Sequence, residues 1–266
     1  MKKAIFLPHI CELSKQNNIA LGEALLIARN EGYTGVDANW KDIGRENILL
    51  KNQLNTADIN ISSIYRVCNL AEDFSIDEMK RFFEGVVFYN STKAMLVPSF
   101  YSEKNNIEDT NKMIIDSLNI SCDLAKSYGI TISIENFGHF QSPCGSFSQV
   151  KMLLDNVTNL YYTLDTGNYA YFNEDVLYAL SELKDRIVHV HLKDWCLSPF
   201  DENDESTLET ITNVKLYPSP IGRGIVPIKD CIKKLYEYEY KGYLTAEFFG
   251  AKNMLNYLKI SFPKNL

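Results

Sequence analysis

Four residues able to bind cations close four short segments in the second half of the chain. Glu135 ends Thr131-Ile132-Ser133-Ile134-Glu135, and Asp165 ends Tyr161-Tyr162-Thr163-Leu164-Asp165. His191 ends Ile187-Val188-His189-Val190-His191, and Glu247 ends Tyr243-Leu244-Thr245-Ala246-Glu247. In a β-strand successive side chains point to opposite faces. Ile132, Ile134, Leu164, Val190, Leu244 and Ala246 therefore share one face, while Ser133, Thr163, His189 and Thr245 share the other with the four terminal residues. Three carboxylates brought together in this way would raise one another's pKa. A divalent cation relieves the conflict by accepting all four groups. Carboxylates with one imidazole suit Mn²⁺, Co²⁺, Zn²⁺ or Mg²⁺. The expected cofactor is one such ion, with Glu135, Asp165, His191 and Glu247 as its ligands.

Other polar and aromatic residues border these positions, each with two readings. His189 shares the inward face one layer deeper than His191, as a support for the site or as a plain core histidine. Lys193 and Asp194 follow at the strand mouth. Lys193 can hold a substrate hydroxyl or phosphate. Asp194 can accept the second ring N–H of His191, as metal-bound imidazoles require. The alternative for both is a salt-bridged rim. His139, in Phe137-Gly138-His139-Phe140, reads as pocket lining or surface imidazole. Tyr65, Trp195, Tyr169 and Phe249 read as pocket walls or core aromatics.

Eight strands, about 3–8, 34–38, 60–66, 93–97, 130–135, 160–165, 187–192 and 243–248, must position this set. Helical patterns fill most gaps, near 19–30, 43–57, 76–90, 106–128, 146–155, 173–183, 228–238 and 252–259. The clearest covers 106–128, where Ile114, Leu118, Cys122 and Ala125 recur at spacings of three and four before Gly129. Eight strand–helix units predict an α/β fold, a (β/α)₈ TIM barrel over residues 1–266 as one domain, whose chemistry sits at the C-terminal strand ends. No GxGxxG or GxxxxGK[ST] motif points to a dinucleotide or P-loop fold. The stretch 196–224 reads as one long irregular loop after the seventh strand, a length often tied to function.

The motifs Ile134-Glu135-Asn136, Leu164-Asp165-Thr166-Gly167-Asn168, His189-Val190-His191-Leu192-Lys193-Asp194 and Ala246-Glu247-Phe248 resemble the sugar phosphate isomerase/epimerase superfamily, the xylose-isomerase-like TIM-barrel group. Glu31-Gly32-Tyr33-Thr34-Gly35-Val36-Asp37 and Pro220-Ile221-Gly222-Arg223-Gly224 are similar to further motifs of that group. It includes ketose 3-epimerases, hydroxypyruvate isomerases, inosose dehydratases and endonuclease-IV-like enzymes. The resemblance implies that Glu135 and Glu247 are the catalytic proton-transfer pair as well as metal ligands. Asn168 stands where the epimerases carry a substrate-binding histidine, and an amide cannot serve as a cation or general acid. Asp37 stands where glutamate is commoner, as a helper or as a supporting carboxylate. Arg223 reaches the substrate from the long loop or stays solvated between two glycines.

The expected activity is that of a metal-dependent isomerase or epimerase of a small sugar or sugar-like keto compound, by proton transfer through a metal-stabilised ene-diolate. An inosose-type dehydratase on the same site is the alternative. An endonuclease-IV-like repair enzyme or a non-catalytic sugar-binding barrel stands further off. Substrate contacts are expected from Asn168, Lys193, Arg223, His139, Tyr65 and Trp195, and support from His189, Asp194 and Asp37. The partner is a small sugar or sugar phosphate, and the resemblance implies a homodimer or homotetramer.

Composition sets outer bounds. The 266 residues carry 27 basic and 34 acidic side chains, a net charge of −7. That balance opposes a nucleic-acid surface, and no apolar run has the length of a membrane span. The N-terminal apolar run is interrupted by Pro8 and His9 and is too short for a signal peptide. Six cysteines without a CxxC pair read as reduced thiols. Together these lead to the expectation of a cytoplasmic protein with no membrane partner.

Overall fold

The structure is a computed structural model that describes residues 1–102 and 106–262. Seven parallel strands follow in order: β1 (Lys2–Phe6), β2 (Tyr33–Asn39), β3 (Asn60–Cys68), β4 (Lys93–Pro98), β5 (Thr131–Glu135), β6 (Tyr161–Asp165) and β7 (Ile187–Cys196). After a two-strand insertion, β8 (Leu208–Glu209) and β9 (Lys215–Ser219), comes β10 (Tyr243–Glu247). β10 pairs in parallel with both β7 and β1, and this closes an eight-stranded barrel. Ten α-helices surround it: α1 (Leu7–Asn17), α2 (Leu21–Asn30), α3 (Trp40–Ile43), α4 (Ile48–Thr56), α5 (Ile76–Phe88), α6 (Ile107–Lys126), α7 (Phe147–Asn156), α8 (Val176–Leu183), α9 (Ile228–Glu237) and α10 (Met254–Ile260) among the described residues. The architecture is a (β/α)₈ barrel.

The strand alternation sorts the core as its period requires. Ile132, Ile134, Leu164, Val190, Leu192, Leu244 and Ala246 are fully buried in the layer between sheet and helices. Each large member contributes roughly 1.5–3 kcal/mol by leaving water. α6 buries Ile114, Leu118, Cys122 and Ala125. Its first turn is capped by Asn106, whose side chain accepts from the amides of Glu108 and Asp109. Gly129 follows at φ +67°, a left-handed stop that favours glycine. Inside the barrel Ser133 Oγ meets Thr163 Oγ1 at 2.7 Å, a polar pair that spans β5 and β6 below the strand ends.

Three stretches differ from the expectation. β1 ends at Phe6, and residues 7–17 form a helix that the apolar run had hidden. Pro8 stands in its first turn, where a missing N–H costs nothing. The helix expected over 43–57 starts only at Ile48 as α4, and a separate short helix, α3, precedes it and stops at Gly44 with φ +65°. The long loop is partly a sheet: β7 runs on to Cys196 and pairs antiparallel with β9, which pairs with β8. No described helix is long and apolar enough to cross a membrane.

Candidate metal centre

The C-terminal ends of β5, β6, β7 and β10 place Glu135, Asp165, His191 and Glu247 together. One donor atom from each lies within 4.8 Å of the others, and all four side chains are buried. The ladder explains why. Asp165 stands level with His191 across β6 and β7, and His191 stands level with Thr245, one pleat below Glu247.

His191 is turned by its two ring nitrogens. Nδ1 faces the cage, 3.1 Å from Glu135 Oε2 and 3.7 Å from Glu247 Oε2. Nε2 points the other way, 3.0 Å from Asp37 Oδ2. The same Asp37 oxygen receives His189 Nε2 at 2.7 Å, and Asp37 Oδ1 accepts from Ser62 Oγ at 2.5 Å. Burial alone would raise the Asp37 pKa, but the two imidazoles beside it hold it far below the usual carboxylate range. Burial opposes a charge on His191, yet hydrogen bonds to Asp37 and Glu135 and their charges push its pKa well up. His189 moves the other way, because burial outweighs its pairing with Asp37. Asp37 is therefore the acceptor that orients His191.

Asp165 is fixed by its backbone neighbours. Its Oδ1 accepts from the amides of Gly167 and Asn168, both at 2.8 Å. Asn136 braces the backbone from β5: its Oδ1 accepts from Asp165 N, and its Nδ2 donates to Asp165 O, both at 3.0 Å. Asp165 Oδ2 is buried with no hydrogen-bond partner among the described residues. The nearest cation is Lys193 Nζ at 3.5 Å. Lys193 also pairs with Glu247 Oε1 and donates to Asn168 Oδ1 at 3.0 Å. Burial pushes Glu247 up to about 7 against the pull of Lys193, while the surrounding carboxylates raise Lys193 further despite its own burial. An unpartnered carboxylate oxygen, two more carboxylates and an imidazole nitrogen facing one point form a donor set that fits a divalent cation.

The cage floors a cavity of about 540 Å³ lined by Tyr65, His139, Asn168, Lys193, Trp195 and Phe249, among others. His139 lies nearly parallel to Phe100 (centroids 4.2 Å apart) and is inclined by 28° to Phe140 (4.7 Å) on the wall. Trp195 Nε1 donates to Gly167 O at 2.9 Å, which fixes its ring beside Lys193. Tyr169 is core instead: it is buried and bonded to Tyr162.

Two expected residues lie elsewhere. Asp194 does not reach His191, because the strand alternation turns it away. Its carboxylate accepts from the amides of Trp195, Gly222, Gly224 and Val226 at 2.8–3.0 Å and so anchors the segment after β9. Gly224 is required there, since a Cβ would stand 2.4 Å from Asp194 Oδ1. Arg223 is exposed on that same tight turn and does not line the cavity. Two residues of the site were not singled out from the sequence. Phe6 packs edge-on against His191, with ring centroids 4.8 Å apart. His9, on α1, accepts the Phe248 amide at Nε2 (3.0 Å) and stacks on the Phe248 ring at 4.6 Å. Burial lowers the His9 pKa to about 3, so it stays neutral. The sequence signal for both was the end of the first strand, which hid the turn into α1.

A family model described as xylose isomerase-like TIM barrel matches residues 25–261. An inosose dehydratase of Clostridium perfringens is 26% identical over 234 residues, covering 81% of this chain and 78% of that protein. The probable 3-DHS dehydratase AsbF from Bacillus anthracis superposes with a TM-score of 0.74 at 17% identity, covering 97% of this chain and 96% of that one. The IOLI protein, solved with a zinc atom, superposes with a TM-score of 0.71 at 18% identity, covering 98% and 92%. At these identities the two structures show a shared fold.

Proposed function

This chain belongs to the xylose isomerase-like TIM-barrel family, and from that premise we propose that it is a divalent-metal-dependent dehydratase of a small cyclic polyhydroxy ketone. The observation that carries the metal centre is the buried cage of Glu135, Asp165, His191 and Glu247 with its unpartnered Asp165 oxygen. The dehydratase reading is supported by the inosose dehydratase likeness across most of the chain. It takes the place of the isomerase or epimerase expected from the motifs, with which it shares the first proton transfer.

A bound divalent ion would supply Lewis acidity toward the substrate carbonyl, which makes the neighbouring C–H acidic. The protein supplies the proton transfers. In dehydration the C–H bond next to the carbonyl breaks, its electron pair forms the C=C bond, and the hydroxyl on the next carbon leaves with a proton as water. Glu247 turns Oε2 toward His191 and Oε1 toward Lys193. Glu247 lines the cavity and is placed to take and return the proton, and burial raises its pKa to about 7 in the metal-free cage. Glu135 is the second carboxylate of the pair, and its Oε2 is held by His191. Lys193 and Asn168 form a hydrogen-bonding edge for the ring hydroxyls. His139 and Trp195 give apolar faces for the ring carbons.

The test is incubation of Mn²⁺- or Zn²⁺-loaded protein with an inosose in deuterated water, read by mass spectrometry. Loss of one water supports the proposal. Solvent deuterium at carbon in a product that keeps its oxygen count supports isomerisation or epimerisation. Neither change, with ligand bound, supports a binding role only.

A further inference from the structure

A second, larger cavity of about 880 Å³ opens on the same face of the barrel. Its lining includes Asn39, Asn47 and Gln53 beside Leu50 and Met254. Two residues, Thr207 and Phe249, line both this cavity and the one above the cage. Phe249 stands just past the end of β10, 38% exposed. Its ring centroid is 5.6 Å from Phe6 and 4.5 Å from His9. Phe6 in turn contacts His191, so the Phe249 ring separates the metal side from its neighbour.

The insertion after β7 holds that ring in place. Thr207 Oγ1 donates to Phe249 O at 3.2 Å, and Glu205 N donates to Gly250 O at 3.0 Å. Gly250 has φ +94°, and a Cβ there would stand 2.4 Å from Glu205 O. Lys252 adds an ion pair to Glu205 at 3.0 Å, and its backbone N–H donates to Asp204 Oδ1 at 2.9 Å. Each cavity alone falls within the roughly 300–1,000 Å³ typical of small-molecule sites, and a space joining the two would exceed it.

We infer that Phe249 is a specificity-determining wall that limits the substrate to a single polyol ring. The inference rests on reading the cavity above the cage as a keto-polyol site. Without the aromatic ring a second sugar unit gains a path into the neighbouring cavity, where Asn47, Gln53, Glu12 and Asp42 offer hydrogen-bonding groups to a hydroxylated ring.

The experiment is calorimetric binding to metal-loaded wild type, F249A and F249L. The two probes are an inosose and the same inosose carrying a glucosyl group on a hydroxyl remote from its carbonyl. Wild type is expected to bind the single ring at least tenfold more tightly. F249A is expected to cut that preference at least tenfold by gaining the two-ring probe; F249L falls between. The inference is overturned by a wild type that binds both probes alike or does not bind the single ring, by a preference unchanged in both variants, or by one lost only through weaker single-ring binding. Dehydration is scored separately: a single ring that binds without losing water sinks the dehydratase reading and leaves the wall to be judged on the binding ratio.

Discussion

Replacing Asp37 by Asn tests how the cage is oriented without touching a proposed ligand. Asp37 is completely buried, and one of its oxygens serves both imidazoles, His189 Nε2 at 2.7 Å and His191 Nε2 at 3.0 Å. Asn keeps the shape but removes the charge that fixes the Nε2–H tautomer of His191. The Nδ1 lone pair is then no longer directed at Glu135, Asp165 and Glu247. Loss of such an outer partner costs about 10–100-fold in metal affinity, or about 1.4–2.7 kcal/mol. The assay is Zn²⁺ competition against a chromophoric chelator at constant pH, with S62A as control. Ser62 meets only the far oxygen of Asp37, and S62A is expected to stay within about threefold. A D37N protein that folds and binds Zn²⁺ as tightly as S62A refutes the assignment of Asp37 as the orienting acceptor.

Three further outcomes are expected. His191 carries a proton on each ring nitrogen in the metal-free cage, since its pKa is pushed well up, so metal binding must expel one. Affinity falls at least tenfold per pH unit below that pKa, and calorimetry in buffers of different ionisation enthalpy should count at least one proton released, with Glu247 adding to the count near and below neutral pH; zero protons contradicts this. D194A leaves four amides without their acceptor and should cost about 3 kcal/mol, a melting temperature lower by about 6–12 °C; a change under about 2 °C contradicts the anchoring role. His9 is held neutral with a pKa of about 3 against 6.5 when free, so the unfolded chain binds its proton first and stability is lost as pH falls below 6.5. Melting of wild type should drop more steeply than that of H9Q between pH 6.5 and 4.5, by up to about 1.4 kcal/mol per pH unit; parallel curves contradict it.

The four-residue cage was legible because alternation is a rigid geometric rule: once β5, β6, β7 and β10 are strands, the phase of Ser133, Thr163, His189 and Thr245 dictates that of the residue two further on. The same rule placed His189 a layer below. It also turns Asp194 away from His191, since the two are three residues apart, but adjacency in sequence made that acidic group look like the partner. The true acceptor, Asp37, comes from β2 on the far side of the barrel. Only closure of the sheet through β10 and β1 brings it there, and no local pattern encodes that distance. His9 and Phe6 were hidden for a related reason, because Leu7-Pro8 continues an apolar run while the chain already turns into α1. Arg223 looked like a substrate contact from its motif, yet the amides on either side of it are tied down by Asp194, which leaves its side chain in solvent.

Anomalous diffraction at the zinc edge from Zn²⁺-soaked crystals tests most directly whether the last four barrel strands hold one ion jointly. The predicted map has a single strong peak about 2.0–2.2 Å from a carboxylate oxygen of Glu135, Asp165 and Glu247 and from His191 Nδ1. A peak on the Asp37, His189 and His191 side instead, or no peak at saturating zinc, contradicts it.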